Sequence, residues 1–206
     1  MGRMLFDAAR DFADLPAHRL REGDGWRTWT YAEVGDRVGA FARWLIEQGV
    51  QPGDRVALLS GNRPEWQVAD FAIMAVGALT VPLYASSSAD QVAHIIADSG
   101  AQLAVVRGRH EAALVAGAGV TKIVTLDPVP DHDQLDACGP ARPDSVAELD
   151  ARLAATQLDD LATIIYTSGT TGQPRGVMLA HRAFAYQIGA INGLYDVGPG
   201  DSSVCF

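Results

Sequence analysis

The chain has 206 residues, 48% of them hydrophobic, a formal net charge of −9 and two cysteines. That length buries a substantial core, and the acidic charge, spread without a lysine or arginine block, excludes a protein that binds by neutralising nucleic-acid phosphates. Cys138 and Cys205 lie far apart and lack metal-type spacing, so neither a disulfide framework nor a zinc site is indicated, and a reducing cytoplasm is the default compartment.

The N-terminal stretch MGRMLFDAARDFADLP mixes acidic residues into its apolar positions, which fits an amphipathic helix and not a secretory signal. Phe6 occupies the place where a myristoylation signal would have serine or threonine. Residues 19–22 and 26–29 flank a Gly-Asp-Gly turn and predict a β-hairpin. Thr30 and Glu33 have capping-box spacing ahead of Val34, Val38, Phe41 and Leu45, so a helix is expected to run until Gly49.

Pro52, Gly53 and Asp54 turn the chain into the apolar run 56–59, a buried strand by its length and flanks. Pro64 then opens a helix. The longest apolar stretch, residues 71–85, is shorter than the roughly 20 residues of a membrane span and contains Gly77 and Pro82. It predicts a buried helix leading into a strand at 79–83. Ser88 and Gln91 repeat the capping-box spacing before Val92, Ile95 and Ile96, Gly100 stops that helix, and a strand follows at 102–106. A further helix and a strand at 122–126 complete the alternation. Strands separated by helices of this length indicate parallel βαβ layers, so the fold class is α/β. Residues 127–144, rich in proline, aspartate and glycine, are expected to be a surface loop or linker.

The strand at 162–166 runs into a turn of hydroxyls and glycines, and residues 177–179 return to strand character. Glycine lets backbone N–H groups converge on an anion, serine and threonine add neutral donors, and arginine adds a forked cation. Such a loop can hold phosphate oxygens, although a similar cluster by itself also fits a plain surface turn. A Walker A loop is excluded because Pro174 stands where its second glycine is required. The Gly117-Ala-Gly119 segment starts like a dinucleotide fingerprint, but Lys122 replaces the last glycine and the chain heads into a strand. His181 is expected to be a structural helix-start histidine and the Asp131-His-Asp133 cluster a solvated surface, while His18, His94 and His110 lack ligand spacing; no metal site is assigned.

Tyr166-Thr-Ser-Gly-Thr-Thr-Gly-Gln-Pro-Arg-Gly176 resembles the signature loop of the adenylate-forming (AMP-binding) superfamily. Gly53-Asp-Arg-Val-Ala-Leu-Leu, Asn62-Arg-Pro-Glu-Trp66 and Gly77-Ala-Leu-Thr-Val-Pro-Leu-Tyr84 are similar, in order and spacing, to the N-terminal domain of long-chain fatty acyl-CoA synthetases. The resemblance implies that residues 1–206 form the N-terminal part of the large AMP-binding domain, with the remainder of that domain and a C-terminal domain absent. It implies ATP, Mg2+ and CoA as cofactor and co-substrates, the last two bound mainly by absent regions. It implies fatty acid and nucleotide as binding partners.

The same resemblance assigns nucleotide binding to Thr167, Ser168, Gly169, Thr170, Thr171, Gly172, Arg175 and Gly176, with Arg175 also the candidate for transition-state charge. Arg175 stands where the family more often has lysine, exchanging a compact ammonium for a planar fork. The chain ends at Phe206 inside what reads as a strand, so a fragment or truncated product, inactive alone, is expected. The function implied is that of the N-terminal portion of an AMP-forming long-chain fatty acid:CoA ligase; a truncated module that binds a nucleotide or partner without catalysis remains the alternative. The location expected is cytoplasmic, with peripheral membrane contact left open.

Overall fold

The computed structural model describes residues 2–138, 142–168, 173–195, 198 and 200–203. Helix α1 (Gly2–Asp11) precedes an antiparallel hairpin of β1 (Pro16–Glu22) and β2 (Gly25–Thr30). Glu22 pairs with Gly25, which leaves Gly23 and Asp24 at the tip, and Gly23 has the positive φ of 59° that a two-residue turn requires. At the start of α2 (Tyr31–Glu47) the Thr30 hydroxyl accepts from the Glu33 N–H at 3.2 Å, and the Glu33 carboxylate accepts from the Thr30 N–H at 2.7 Å. Such a cap is worth about 1 kcal/mol and fixes where the helix begins.

The chain then alternates: β3 (Arg55–Leu59), α3 (Pro64–Ala75), β4 (Leu79–Leu83), α4 (Ala89–Ser99), β5 (Leu103–Val106), α5 (Arg109–Gly117) and β6 (Lys122–Thr125). It continues with β7 (Asp133–Gln134), α6 (Pro143–Ala155), β8 (Leu161–Ser168), β9 (Pro174–Ala180) and α7 (His181–Leu194). One sheet has the order β7-β6-β5-β3-β4-β8-β9, parallel throughout except for the antiparallel edge pair β8–β9.

Alternation along β3 divides the core. Val56 and Leu58 pack with α2 and α3, whereas Ala57 and Leu59 pack with α4 and α5. Both sheet faces are therefore covered by helices, the arrangement in which parallel strands read as unbroken apolar runs. Each fully buried Val or Leu side chain is worth about 1.5–3 kcal/mol. Among the described residues, no helix is long and apolar enough to cross a membrane.

The segment 127–144 departs from the expected loop. Asp133 and Gln134 extend the sheet beside β6, and a 3-10 turn at Leu135–Ala137 buries Leu135. Two polar residues on a sheet edge have too short a period to register as a strand. Asp136 also forms an ion pair with Arg37 of α2, tying this turn to the body. Helix α6 lacked a counterpart in the sequence reading because Arg152 interrupts its apolar face. That arginine is buried, donating from Nε to Glu148 at 2.8 Å and from Nη1 to the Val50 and Val76 carbonyls at 2.7 and 3.3 Å. The strand expected at the C-terminal end is not formed over residues 201–203, and Val204, Cys205 and Phe206 lie outside the described residues.

Candidate functional site

Strand β8 runs parallel to β4, so its carboxyl end lies at the same sheet edge as the ends of β3, β4 and β5. In doubly wound sheets ligands gather along this edge. The hydroxyl- and glycine-rich motif begins there. Its borders are more regular than a free loop: β8 continues through Ser168 and β9 resumes at Pro174, with Tyr166 opposite Gly176, Thr167 opposite Arg175 and Ser168 opposite Pro174. Pro174 lacks an N–H, which suits the last rung of a ladder. Gly169, Thr170, Thr171 and Gly172 lie outside the described residues, and Ser168 is described through its backbone alone.

Thr167 and Arg175 are both exposed and share one face of the hairpin, since directly opposed residues in an antiparallel pair project together. Tyr166 and Gly176 project from the other face. A Cβ placed on Gly176 would meet Ile164 Cγ2 at 2.7 Å and Tyr166 Cζ at 3.2 Å, so glycine here lets the Tyr166 ring lie across the neighbouring strand. The structure thus shows a steric reason for Gly176 that the sequence reading, which assigned it to phosphate, did not contain.

Tyr166 is buried among Val92, Ile95 and Ile96 of α4. Its hydroxyl donates to Asp98 Oδ2 at 2.5 Å, and burial together with that carboxylate raises its pKa. Four residues earlier on α4, His94 Nε2 lies 2.9 Å from the Pro174 carbonyl oxygen, and its ring meets Tyr166 edge-on at 6.5 Å between centroids. In the sequence His94 shows no ligand spacing and Asp98 carries no distinguishing signal. The sole sequence cue for their cooperation was the i, i+4 interval that places both on one helix face.

A second charged group occupies the same sheet edge. Arg63, just before α3, donates to Glu65 at 2.8 Å and to Asp127 after β6 at 2.7 Å. The guanidinium holds the Asp127 carboxyl below its usual pKa. This latch joins the start of α3 to the end of β6. His181 begins α7 as expected; burial lowers its pKa against the opposing charge of Asp160. Among the described residues, no group of three His, Cys, Asp or Glu side chains is arranged to hold a metal.

Comparison with known proteins identifies the family. The family model described as AMP-binding enzyme matches residues 5–206. The chain is 38% identical over 194 residues to the long-chain-fatty-acid–CoA ligase FadD15 of Mycobacterium bovis, covering 90% of this chain and 32% of that protein. It is 37% identical over 169 residues to a feruloyl-CoA synthase of Amycolatopsis, covering 82% of this chain and 32% of that protein. The chain thus spans about a third of the length of these curated relatives. Among solved structures, the luciferase-like enzyme of the mealworm Zophobas morio superposes with a TM-score of 0.79 at 22% identity, over 93% of this chain and 45% of that one, a likeness of fold. The chain belongs to the AMP-binding enzyme family.

Proposed function

We propose that this chain is the N-terminal portion of an AMP-forming long-chain fatty acid:CoA ligase and that residues 167–176 grip the β and γ phosphates of ATP. The observation that carries the proposal is the placement of the motif: it leaves a parallel strand at the ligand edge of the sheet, with the Thr167 hydroxyl and the Arg175 guanidinium on one face. The identity with the Mycobacterium ligase supports the acyl-CoA chemistry and the long-chain class.

In this reading a fatty carboxylate attacks the α-phosphate, pyrophosphate departs to leave acyl-AMP, and the CoA thiol then displaces AMP. Thr167, Ser168, Thr170, Thr171 and the backbone at Gly169, Gly172 and Gly176 supply neutral donors. Arg175 faces the charge that grows on the departing oxygens, where positioned donors contribute most to rate. A guanidinium about 4 Å from a phosphate oxygen, at an effective dielectric of about 20, contributes roughly 4 kcal/mol before desolvation. Mg2+ would neutralise phosphate charge. As the family resemblance implies, magnesium and CoA are assigned mainly to regions beyond this chain.

The exposed apolar side chains of β9 and α7, including Met178, Tyr186 and Leu194, are assigned to contact with the remainder of the same domain, given that the relatives are about three times as long. The protein is placed in the cytoplasm, meeting its acyl substrate there or at a membrane surface. The test compares the complete protein with the 206-residue chain in MgATP, palmitate and CoA, measuring AMP and acyl-CoA. The complete protein is expected to form both and the chain alone neither. Absence of carboxylate-dependent AMP from the complete protein would overturn the activity, and turnover by the chain alone would overturn its catalytic incompleteness.

A further inference from the structure

We infer that His94 and Asp98 are positioning residues that hold the two strands of the phosphate-gripping hairpin from one face of α4. The inference rests on the function proposed above. Asp98 accepts from the Tyr166 hydroxyl on β8, and His94 meets the Pro174 carbonyl on β9, so each strand has its own attachment. A carbonyl oxygen can only accept, which requires that His94 Nε2 carry the proton and donate.

The carbonyl it binds belongs to the peptide unit that ends at the Arg175 nitrogen. Fixing that oxygen fixes the peptide plane from which the Arg175 side chain departs. On the other strand, Tyr166 lies one residue before Thr167 and two before Ser168. The clamp therefore grips the hairpin on either side of the rung that carries Thr167 and Arg175, at Tyr166 on β8 and at Pro174 on β9.

The helix is a suitable anchor. Ser88 caps its start through a reciprocal pair with Gln91, Gly100 ends it in the left-handed conformation at φ 68°, and Val92, Ile95 and Ile96 bury its inner face. The hairpin has greater need of one. Among the described strands, β9 pairs only with β8, while β8 pairs with β4 at the single register position Thr80 to Thr163. Donors for a departing pyrophosphate must stay within fractions of an ångström, and a displacement of about 1 Å can cost about a hundredfold in rate. A helix-mounted clamp supplies that constraint without contacting the nucleotide.

The test uses carboxylate-dependent exchange of pyrophosphate into ATP by the complete protein. His94→Ala is expected to lower kcat/KM for ATP about tenfold, within the range for lost positioning, while the KM for fatty acid changes less than about twofold. His94→Gln, whose amide N–H reaches as far as Nε2, should recover most of the loss. Asp98→Asn, which still accepts from Tyr166, should retain activity, whereas Asp98→Ala and Tyr166→Phe should fall together and their double variant should fall no further. Equal losses in His94→Ala and His94→Gln, or equal effects on the ATP and fatty-acid parameters, would overturn the positioning role.

Failure of the unmodified complete protein to catalyse exchange would count against the proposed function and not against the clamp. The clamp has a separate readout in the 206-residue chain, amide hydrogen exchange. In His94→Ala, exchange at Thr167, Arg175 and Gly176 should accelerate while β3 and β5 keep their protection. No acceleration at the hairpin would overturn the clamp whatever the enzyme does.

Discussion

The parallel block from β3 to β6 and the C-terminal hairpin with α7 solve opposite problems. All four residues of β5 are buried, as are four of the five residues of β3, with helices on both faces. By contrast, the middle of β9 is exposed, Met178 remains 64% accessible, Tyr186 is 82% accessible, and His181 is the one side chain of α7 that is buried. The block closes its own core, whereas the hairpin region bears the phosphate-type motif on a surface that the described residues leave uncovered. Stability and candidate chemistry therefore reside in different parts of one sheet.

The contrast is broken most severely from inside the block. Leu58→Ala should cost about 2–5 kcal/mol, the range for a fully buried leucine, and lower the melting temperature of the chain by several degrees. A loss below about 1 kcal/mol would mean that β3 is not the centre of the core.

A smaller effect is expected at the junction of the two regions. Asp70 on α3 is half-buried against Thr80, next to the rung that joins β4 to β8, and burial pushes its pKa up to about 6, the Thr80 hydroxyl opposing only in part. Since the folded pKa lies above the unfolded value near 3.8, the native state holds this proton more tightly and the group's contribution to stability declines as pH rises between those values. Asp70→Asn should therefore gain about 1–2 kcal/mol over the parent above pH 6, less than the full shift implies because the site is only half-buried. That gain should vanish near pH 4. Urea denaturation at pH 4, 6 and 8 reads the difference, and a gain independent of pH would contradict the assignment. The smallest effect belongs to the exposed side: Met178→Ser should change stability within about 0.5 kcal/mol in the same assay.

Much of the block was legible because its signals are local. Two capping boxes, at Thr30 and Ser88, mark helix starts, and short apolar runs bounded by glycine and proline mark strands buried on both faces. Strand β7 escaped notice because it consists of two polar residues recruited to an edge. Helix α6 was hidden by Arg152, whose charge is acceptable inside only because Glu148 and two backbone carbonyls receive its donors. At the candidate site the motif suggests a phosphate-type loop but carries no sign of what supports it. The contacts of His94 with Pro174 and of Asp98 with Tyr166 span 80 and 68 residues of sequence, and only the fold brings them together. The steric need for glycine at position 176 likewise shows only once its register opposite Tyr166 is known.

The most direct measurement is acyl-AMP formation by the complete protein carrying Ser168→Ala, Thr170→Ala and Thr171→Ala together. Removal of three donors from a phosphate-gripping loop should reduce the rate by at least about a hundredfold, the scale seen when even one positioned donor is lost, with the melting temperature kept within a few degrees. Such a loss in a folded protein is the result expected if residues 167–176 hold the departing phosphates. Undiminished acyl-AMP formation would contradict that assignment and detach the motif from the reaction.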